Sequence, residues 1–365
     1  MRLGFLLEQC LAPVPGGTGR YSREIAAALA RCAPDGAQVQ GVTAWHYDTS
    51  SARVEGVAGP RRLPLGRRGV VAAWDHGLGP GVAGDLVHAP TPLAPPRRRR
   101  PLVVTVHDAV PWTHPETLTP RGVAWHLRAV GRAAQEADLV VVPTHAVAAA
   151  LAARVGLDPA RLEVVGEGVS PDLVVPADAD SRARALALPD RFLLTVATLE
   201  PRKGLARLLA ALVQVPEVPL LVAGQQGWGG LDPVAEAARL GLADGRVRLL
   251  GRLGDADLAT ALSRATALVQ PSLAEGFGLP VLEAMAAGTP AVTSDDPALV
   301  EVGGGATVVA AAGADGLAAA LSRVLADEGL RLDLGRRGRV RAGDFSWDGA
   351  ARQLWAAYDR LLPAT

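Results

Sequence analysis

The feature that most constrains this chain is a rhythm: short apolar runs, each followed by a stretch of helical spacing, along nearly the whole length. In the first half Arg2–Leu7, Asp85–Ala89, Leu102–His107, Asp138–Val142 and Leu162–Val165 read as strands. Between them Tyr21, Ile25, Ala28, Leu29 and Cys32 recur at helical spacing, and Thr144 is placed to cap a helix over Val147–Val155. The rhythm pauses over Ser170–Pro189, a proline- and aspartate-rich segment that reads as a linker. It restarts with strands at Phe192–Val196, Leu220–Ala223, Val247–Leu250, Ala267–Gln270 and Ala291–Thr293. Apolar runs without polar alternation belong to parallel strands covered by helices on both faces. A last amphipathic helix, Trp347–Leu362, gathers Leu354, Trp355, Tyr358, Leu361 and Leu362 on one side. The expected organisation is α/β, with domains over 1–170 and 171–345 and a terminal helix over 346–365.

The chain has 365 residues, a length suited to two domains of roughly 150–200 residues each. Its 37 basic and 37 acidic residues cancel, which argues against a general nucleic-acid binder. Cys10 and Cys32 form no disulfide framework and match no metal-site spacing. The N-terminus reads as a first strand and not as a secretion signal. No run approaches the ~18 apolar residues of a membrane span, so a cytoplasmic protein is expected. The arginine run Arg97–Arg100 reads as a solvated loop, with peripheral contact to an anionic membrane face as its alternative.

In open parallel sheets, ligands bind beyond the carboxyl ends of the strands, so the loops after strands carry the chemistry. The strongest such loop follows Ala267–Gln270 and runs Glu275, Gly276, Phe277, Gly278, Leu279, Pro280, up to Glu283 and Gly288. Two glycines around Phe277 let backbone approach a ligand closely. Pro280 suits the first position of a short helix over Pro280–Ala287, and Gly288 suits its end. Its N-terminus forms a cradle for phosphate or hydroxyl groups. Glu275 in the loop and Glu283 on an otherwise apolar helix can accept hydrogen bonds from two parts of one polyol.

Arginine supplies every cationic side chain but one, and the single lysine, Lys203, sits beside Arg202 after the first strand of the second half. Two cations at a loop-to-helix junction oppose the helix dipole, a conflict that a bound anion would resolve. The turn Gly16–Gly19, with Gly17 at its centre, suits a phosphate-facing loop or a plain turn, and it lacks the third glycine of G-x-G-x-x-G. His107-Asp108 follows a strand, where a histidine can donate to a substrate hydroxyl or simply be hydrogen-bonded within its domain. The pairs Asp178/Asp180 and Asp255/Asp257 resemble an Asp-x-Asp metal site, but their placement reads as structural, and no metal or cofactor is expected.

With these residues in place, nearly the whole chain resembles glycosyltransferase family 4, retaining enzymes of the GT-B fold. The most specific element is the Glu-x7-Glu motif from Glu275 to Glu283. Leu199–Lys203, Val104–Asp108, Val247–Gly251, the N-terminal glycines and the Phe345–Trp347 helix start support it. The resemblance implies two Rossmann-like domains facing across a cleft, with the last helix crossing back to the first. It implies that Arg202 and Lys203 hold the diphosphate of a nucleotide-sugar donor. Glu275 and the backbone of Gly276, Phe277, Gly278 and Leu279 would meet the sugar and phosphate, Glu283 the ribose, Gly17 the diphosphate and His107 the sugar. The donated hexose would be mannose-like and the acceptor a glycan, glycolipid or small molecule. One departure stands out: where many relatives read Asn-Gly-Val before the linker, this chain has Glu167-Gly168-Val169. A nucleotide-sugar 2-epimerase or phosphorylase of the same fold is the competing enzyme reading. A dinucleotide oxidoreductase rests on the glycine turn alone, and a non-catalytic sugar binder is opposed by the complete Arg202, Lys203, Glu275, Glu283 set.

Overall fold

The computed structural model describes residues 1–215 and 217–362. It divides into two compact units. The first contains Met1–Pro115, Thr119–Gly168 and the chain from Ser346 onward; the second contains Glu116–Leu118 and Val169–Phe345. Residues 363–365 of the expected terminal segment lie outside the described residues.

The first unit holds seven strands: β1 (Arg2–Leu6), β2 (Gln38–Trp45), β3 (Ala58–Gly66), β4 (Leu86–Ala89), β5 (Leu102–Thr105), β6 (Leu139–Val142) and β7 (Leu162–Val164). They form one parallel sheet in the order β3-β2-β1-β4-β5-β6-β7. Every residue of β4, β5 and β6 is buried, which is why these strands are dominated by apolar residues, with His88 and Thr105 as the polar members. The edge strand β3 was not foreseen. Its sequence carries Pro60 and Pro64 among arginines, and only Leu63 is buried. Proline is tolerated at a sheet edge, where no further strand needs its missing N–H. β2 was also not foreseen.

The segment Gly16–Gly19, expected as a turn, is the first turn of the helix Gly16–Arg31. A 3-10 turn at Glu8–Leu11 makes the connection from β1 instead. Tyr21, Ile25, Ala28 and Leu29 are buried on that helix. Thr144 does cap the next expected helix, accepting from Val147 N–H, but the helix begins at His145.

The second unit holds β8 (Leu193–Val196), β9 (Leu220–Ala223), β10 (Val247–Gly251), β11 (Ala267–Gln270), β12 (Ala291–Thr293) and β13 (Val308–Val309). They form a parallel sheet in the order β10-β9-β8-β11-β12-β13. Leu193, Leu220, Val222, Ala267, Val269 and Val292 from four of these strands pack with Leu208, Leu212 and Leu321 from the covering helices. The expected linker is not irregular throughout. It contains the helix Ala179–Ala185, on which Arg182 bonds Asp178 and Asp257, both at 2.8 Å. Asp180 pairs with Arg264. These acids are therefore occupied in packing that helix on its own unit.

The terminal helix Trp347–Leu361, capped by Ser346, belongs to the first unit and lies along Gly16–Arg31. Trp355 Nε1 donates to Leu29 O at 3.0 Å. Tyr358 OH meets His88 Nδ1 at 2.5 Å, and His88 Nε2 meets Thr105 Oγ1 at 2.8 Å. Burial, with a smaller contribution from His107, pushes His88 down to about 3, so its ring is neutral at physiological pH. Tyr358→Phe would leave a buried ring nitrogen without its partner. The expected cost is about 1–3 kcal/mol in urea denaturation. A variant with unchanged stability would mean that His88 finds another partner.

Candidate functional site

The loops after β8 and β11 meet at the carboxyl edge of the second sheet. After β8 the chain forms the 3-10 turn Pro201–Lys203, then Gly204 opens the helix Leu205–Leu212. Gly204 has φ +67°, and a Cβ there would lie 2.0 Å from Pro271 O in the other loop. Leu273 N–H donates to Arg202 O at 2.8 Å, which fastens the two loops together. Gly204→Ala must therefore move a backbone segment as well as adopt a strained φ. The expected outcome is a loss of about 1–3 kcal/mol in a thermal or urea melt. An unaltered melt would show that these loops yield freely.

Arg202 and Lys203 converge on Glu275. Arg202 Nη1 donates to Glu275 Oε2 at 2.9 Å and Lys203 Nζ to Oε1 at 2.7 Å. Ser272 Oγ and Gln270 Nε2 add hydrogen bonds to Oε1 at 2.7 and 3.0 Å. The Glu275 side chain is 7% exposed and receives these four donors. Burial acts to raise its carboxyl, but Lys203 and Arg202 outweigh it and hold the group at about 2. Glu275 is thus a fixed anion.

A second carboxylate shares the cations. Arg202 Nη2 donates to Glu200 Oε1 at 2.9 Å, and the Glu200 side chain is only 3% exposed. Burial raises this carboxyl above its usual range, against the opposing pull of Arg202 and Lys203. The conflict of two cations at a helix start is therefore met by two protein carboxylates, before any ligand is considered. Glu200, Gln270, Ser272 and Asp296 were missed as site residues. Asp296 accepts from Glu275 N–H at 3.3 Å and caps the helix Pro297–Gly303. Their common signal was position, because each lies in or beside a loop that follows a strand.

The helix beyond Glu275 spans Leu279–Ala287, so Pro280 is its second residue and not its first. Gly278 precedes it with φ +96°, and Gly288 ends it with φ +77°. Pro280 has no N–H, and Val281 N–H is bonded to Gly278 O, so Gly278 and Leu279 carry the amides at that end. Phe277 is an anchor: it is buried edge-to-face on Phe345, with ring centroids 5.5 Å apart. This leaves the backbone of Gly276–Leu279 as the part suited to a ligand. Glu283 is buried on this helix, as its apolar neighbours implied.

Gly17 and His107 lie in the first unit. Gly17 occupies the first turn of its helix. His107 Nε2 meets Pro90 O at 2.8 Å, and because a carbonyl only accepts, Nε2 carries a proton. Nδ1 lies 3.8 Å from Glu167 Oε1, and the ring stands edge-on to Tyr21. The departure noted at Glu167 therefore faces His107. Gly168 leaves no room for a side chain, since a Cβ would meet Trp347 N at 2.4 Å. In the arginine run, Arg97 pairs with Asp138, while Arg98 and Arg100 bond the carbonyls of Gly79 and Val82. No helix among the described residues is long and apolar enough to cross a membrane.

Comparison with known proteins places this geometry. Residues 15–173 match the family model for Glycosyltransferase Family 4, and residues 176–341 match that for Glycosyl transferases group 1. The chain is 30% identical over 298 residues to O-antigen chain mannosyltransferase B of Escherichia coli, covering 76% of this chain and 74% of that one. It is 34% identical over 288 residues to the D-inositol 3-phosphate glycosyltransferase of Mycobacterium tuberculosis, covering 74% of this chain but only 59% of that relative. Its fold matches that of Anabaena HepE, solved in complex with UDP-glucose, with a TM-score of 0.74 at 23% identity over 99% of this chain and 100% of the other. Two parallel-sheet α/β units with a terminal helix returning to the first are the GT-B architecture shared by solved glycosyltransferases. With both halves matched in order and a relative covered over most of its length, the chain belongs to the glycosyltransferases of family 4 and group 1.

Proposed function

We propose that this enzyme transfers a hexosyl group, with a mannose-like sugar favoured, from a nucleotide-diphosphate donor to an acceptor hydroxyl in the cytoplasm. The anomeric configuration is retained, and no divalent metal takes part. The observation that carries the reading is the buried cluster of Arg202, Lys203 and Glu275 beside the N-terminus of Leu279–Ala287. A leaving diphosphate needs positive charge fixed before the reaction, and preorganised charge is usually the largest catalytic contribution. Two cations held in place by a permanent anion supply it, with the amides of Gly278 and Leu279 beside them. Glu283 is assigned to the donor ribose, and Gly17 and His107 to the diphosphate and sugar from the first unit. The family's retaining chemistry supports a front-face route, in which the leaving phosphate accepts the acceptor's proton. The mannosyltransferase relative favours mannose, and the HepE complex supports a nucleotide-sugar donor. The acceptor is a glycan, a glycolipid or a small molecule. Among the described residues Arg99 has no hydrogen bond or ion pair, and any peripheral membrane contact would fall at that member of the arginine run.

A thermal-shift series with UDP-, GDP- and dTDP-sugars tests the donor. Ligand at 100 times its Kd adds about 2.7 kcal/mol of stability, which such a series detects. Transfer to acceptor should continue in EDTA. Activity abolished by EDTA and restored by Mg²⁺ or Mn²⁺ would refute the metal-free assignment.

A further inference from the structure

Two buried carboxylates share the cations of the donor site, and they are bonded very differently. Glu275 receives four hydrogen bonds, three on Oε1 and one, from Arg202, on Oε2. Glu200 receives one, from Arg202 on Oε1. The charged groups facing Glu200 are Arg202, Lys203 and Glu275. The backbone packed against its Cβ is the loop at Gly227, where Gln225–Gly230 carries no charge. Arg202, Lys203, Glu275 and Glu200 together are neutral, two cations against two anions. A nucleotide-sugar diphosphate would add two negative charges to that buried set.

We infer that Glu200 takes up a proton from solvent, on its Oε2, when the nucleotide sugar binds. The inference rests on the assignment of the diphosphate to Arg202 and Lys203. Glu275 is too well bonded to yield, so the group held by one hydrogen bond does. Its burial already opposes the charged form, in the same direction. The proton lowers the negative charge gathered in the loop and frees Arg202 to turn toward phosphate. Glu200 is thus a positioning residue that acts through Arg202, and donor affinity is coupled to pH.

The coupling is read without turnover. Binding of UDP-glucose or GDP-mannose, whichever stabilises the protein, is followed by calorimetry in Tris and in Pipes, from pH 8 to pH 6. Buffers of different ionisation enthalpy count the protons taken up. Both acids of a diphosphate diester are strong and stay ionised across this range, so a counted proton belongs to the protein. The expected result is net uptake that grows as the pH falls. Kd should tighten by up to about tenfold per pH unit, the limit for one proton. Glu200→Gln, which keeps the acceptor for Arg202, should bind without that uptake. Donor binding by the wild type with no uptake anywhere in the range would overturn the inference, as would equal uptake in Glu200→Gln. If that variant fails to fold, the pH dependence of the wild-type Kd decides alone. A Lys203→Ala enzyme that binds donor as tightly as wild type would instead overturn the donor-site assignment, a result read from Kd and not from the proton count.

Discussion

Lys203→Ala is expected to lose on the order of 10²–10³ in kcat, comparable to removal of one oxyanion donor, and Lys203→Arg is expected to be strongly impaired too. The ammonium spends one of its three N–H groups on Glu275 Oε1, at 2.7 Å, and two remain for a phosphate. The side chain is 14% exposed. A guanidinium is planar and longer, and its neighbour Arg202 already fills the other side of Glu275. The composition sharpens the point, because arginine serves at every other cationic position in the chain. The native fold should persist, since Glu275 keeps three donors when Lys203 is removed, but stability should fall as well, because Lys203 contributes most to holding the buried Glu275 ionised. Chemistry offers a parallel test. Lys203 is the only side-chain amine, so acetylation has one internal target, and the nucleotide sugar should protect it. A fully active Lys203→Arg enzyme, or acetylation that proceeds unhindered under saturating donor, would make the lone lysine an accident of composition.

Glu275→Ala should be more damaging, because it removes the acceptor for four donors and leaves two like charges buried side by side. Breaking a buried pair from one side costs about 3–5 kcal/mol, to be read in denaturation at pH 7. The catalytic loss should appear in kcat, since Arg202 and Lys203 lose the anchor that positions them. Glu283→Ala, by contrast, should mainly weaken donor binding, because ribose contacts lie away from the reacting bond. If both variants altered only the KM for acceptor, the donor would have been assigned to the wrong loops.

The same residue predicts a pH dependence. Its folded carboxyl ionises at about 2 instead of the usual 4.5. A depressed value means that the native state favours the ionised form. The stabilisation is then present above about pH 4.5 and is lost as the pH falls toward 2. Its size is on the order of 3 kcal/mol. Glu200, raised by burial, acts with the opposite sign, so its contribution is lost as the pH rises. The difference between wild type and Glu275→Gln across the acid range isolates Glu275. A difference that stays constant from pH 5 to pH 2 would refute its ionisation as the cause.

How much of this was legible depends on what each residue answers to. The buried strands were, because a strand covered on both faces is mostly apolar; β9, β11 and β12 have the bounds expected for them. Glu283 was legible for the same reason in reverse, as one charge on a helix too apolar to face water. Edge strand β3 was hidden because an edge tolerates proline and arginine, which spoil the apolar pattern. The glycines at 16–19 looked like a turn because local propensity alone favours one; the rest of the helix Gly16–Arg31 overrides it. The conflict at Arg202 and Lys203 was visible in the sequence, but its resolution was not. Glu200 is two residues away and Glu275 more than seventy, and only the register of β8 beside β11 brings their loops together. Sequence by itself determined which residues are charged where charge is costly. The tertiary structure decided which opposite charges meet, because a buried carboxylate is set by the donors that reach it, and those arrive from loops that the sheet alone makes neighbours.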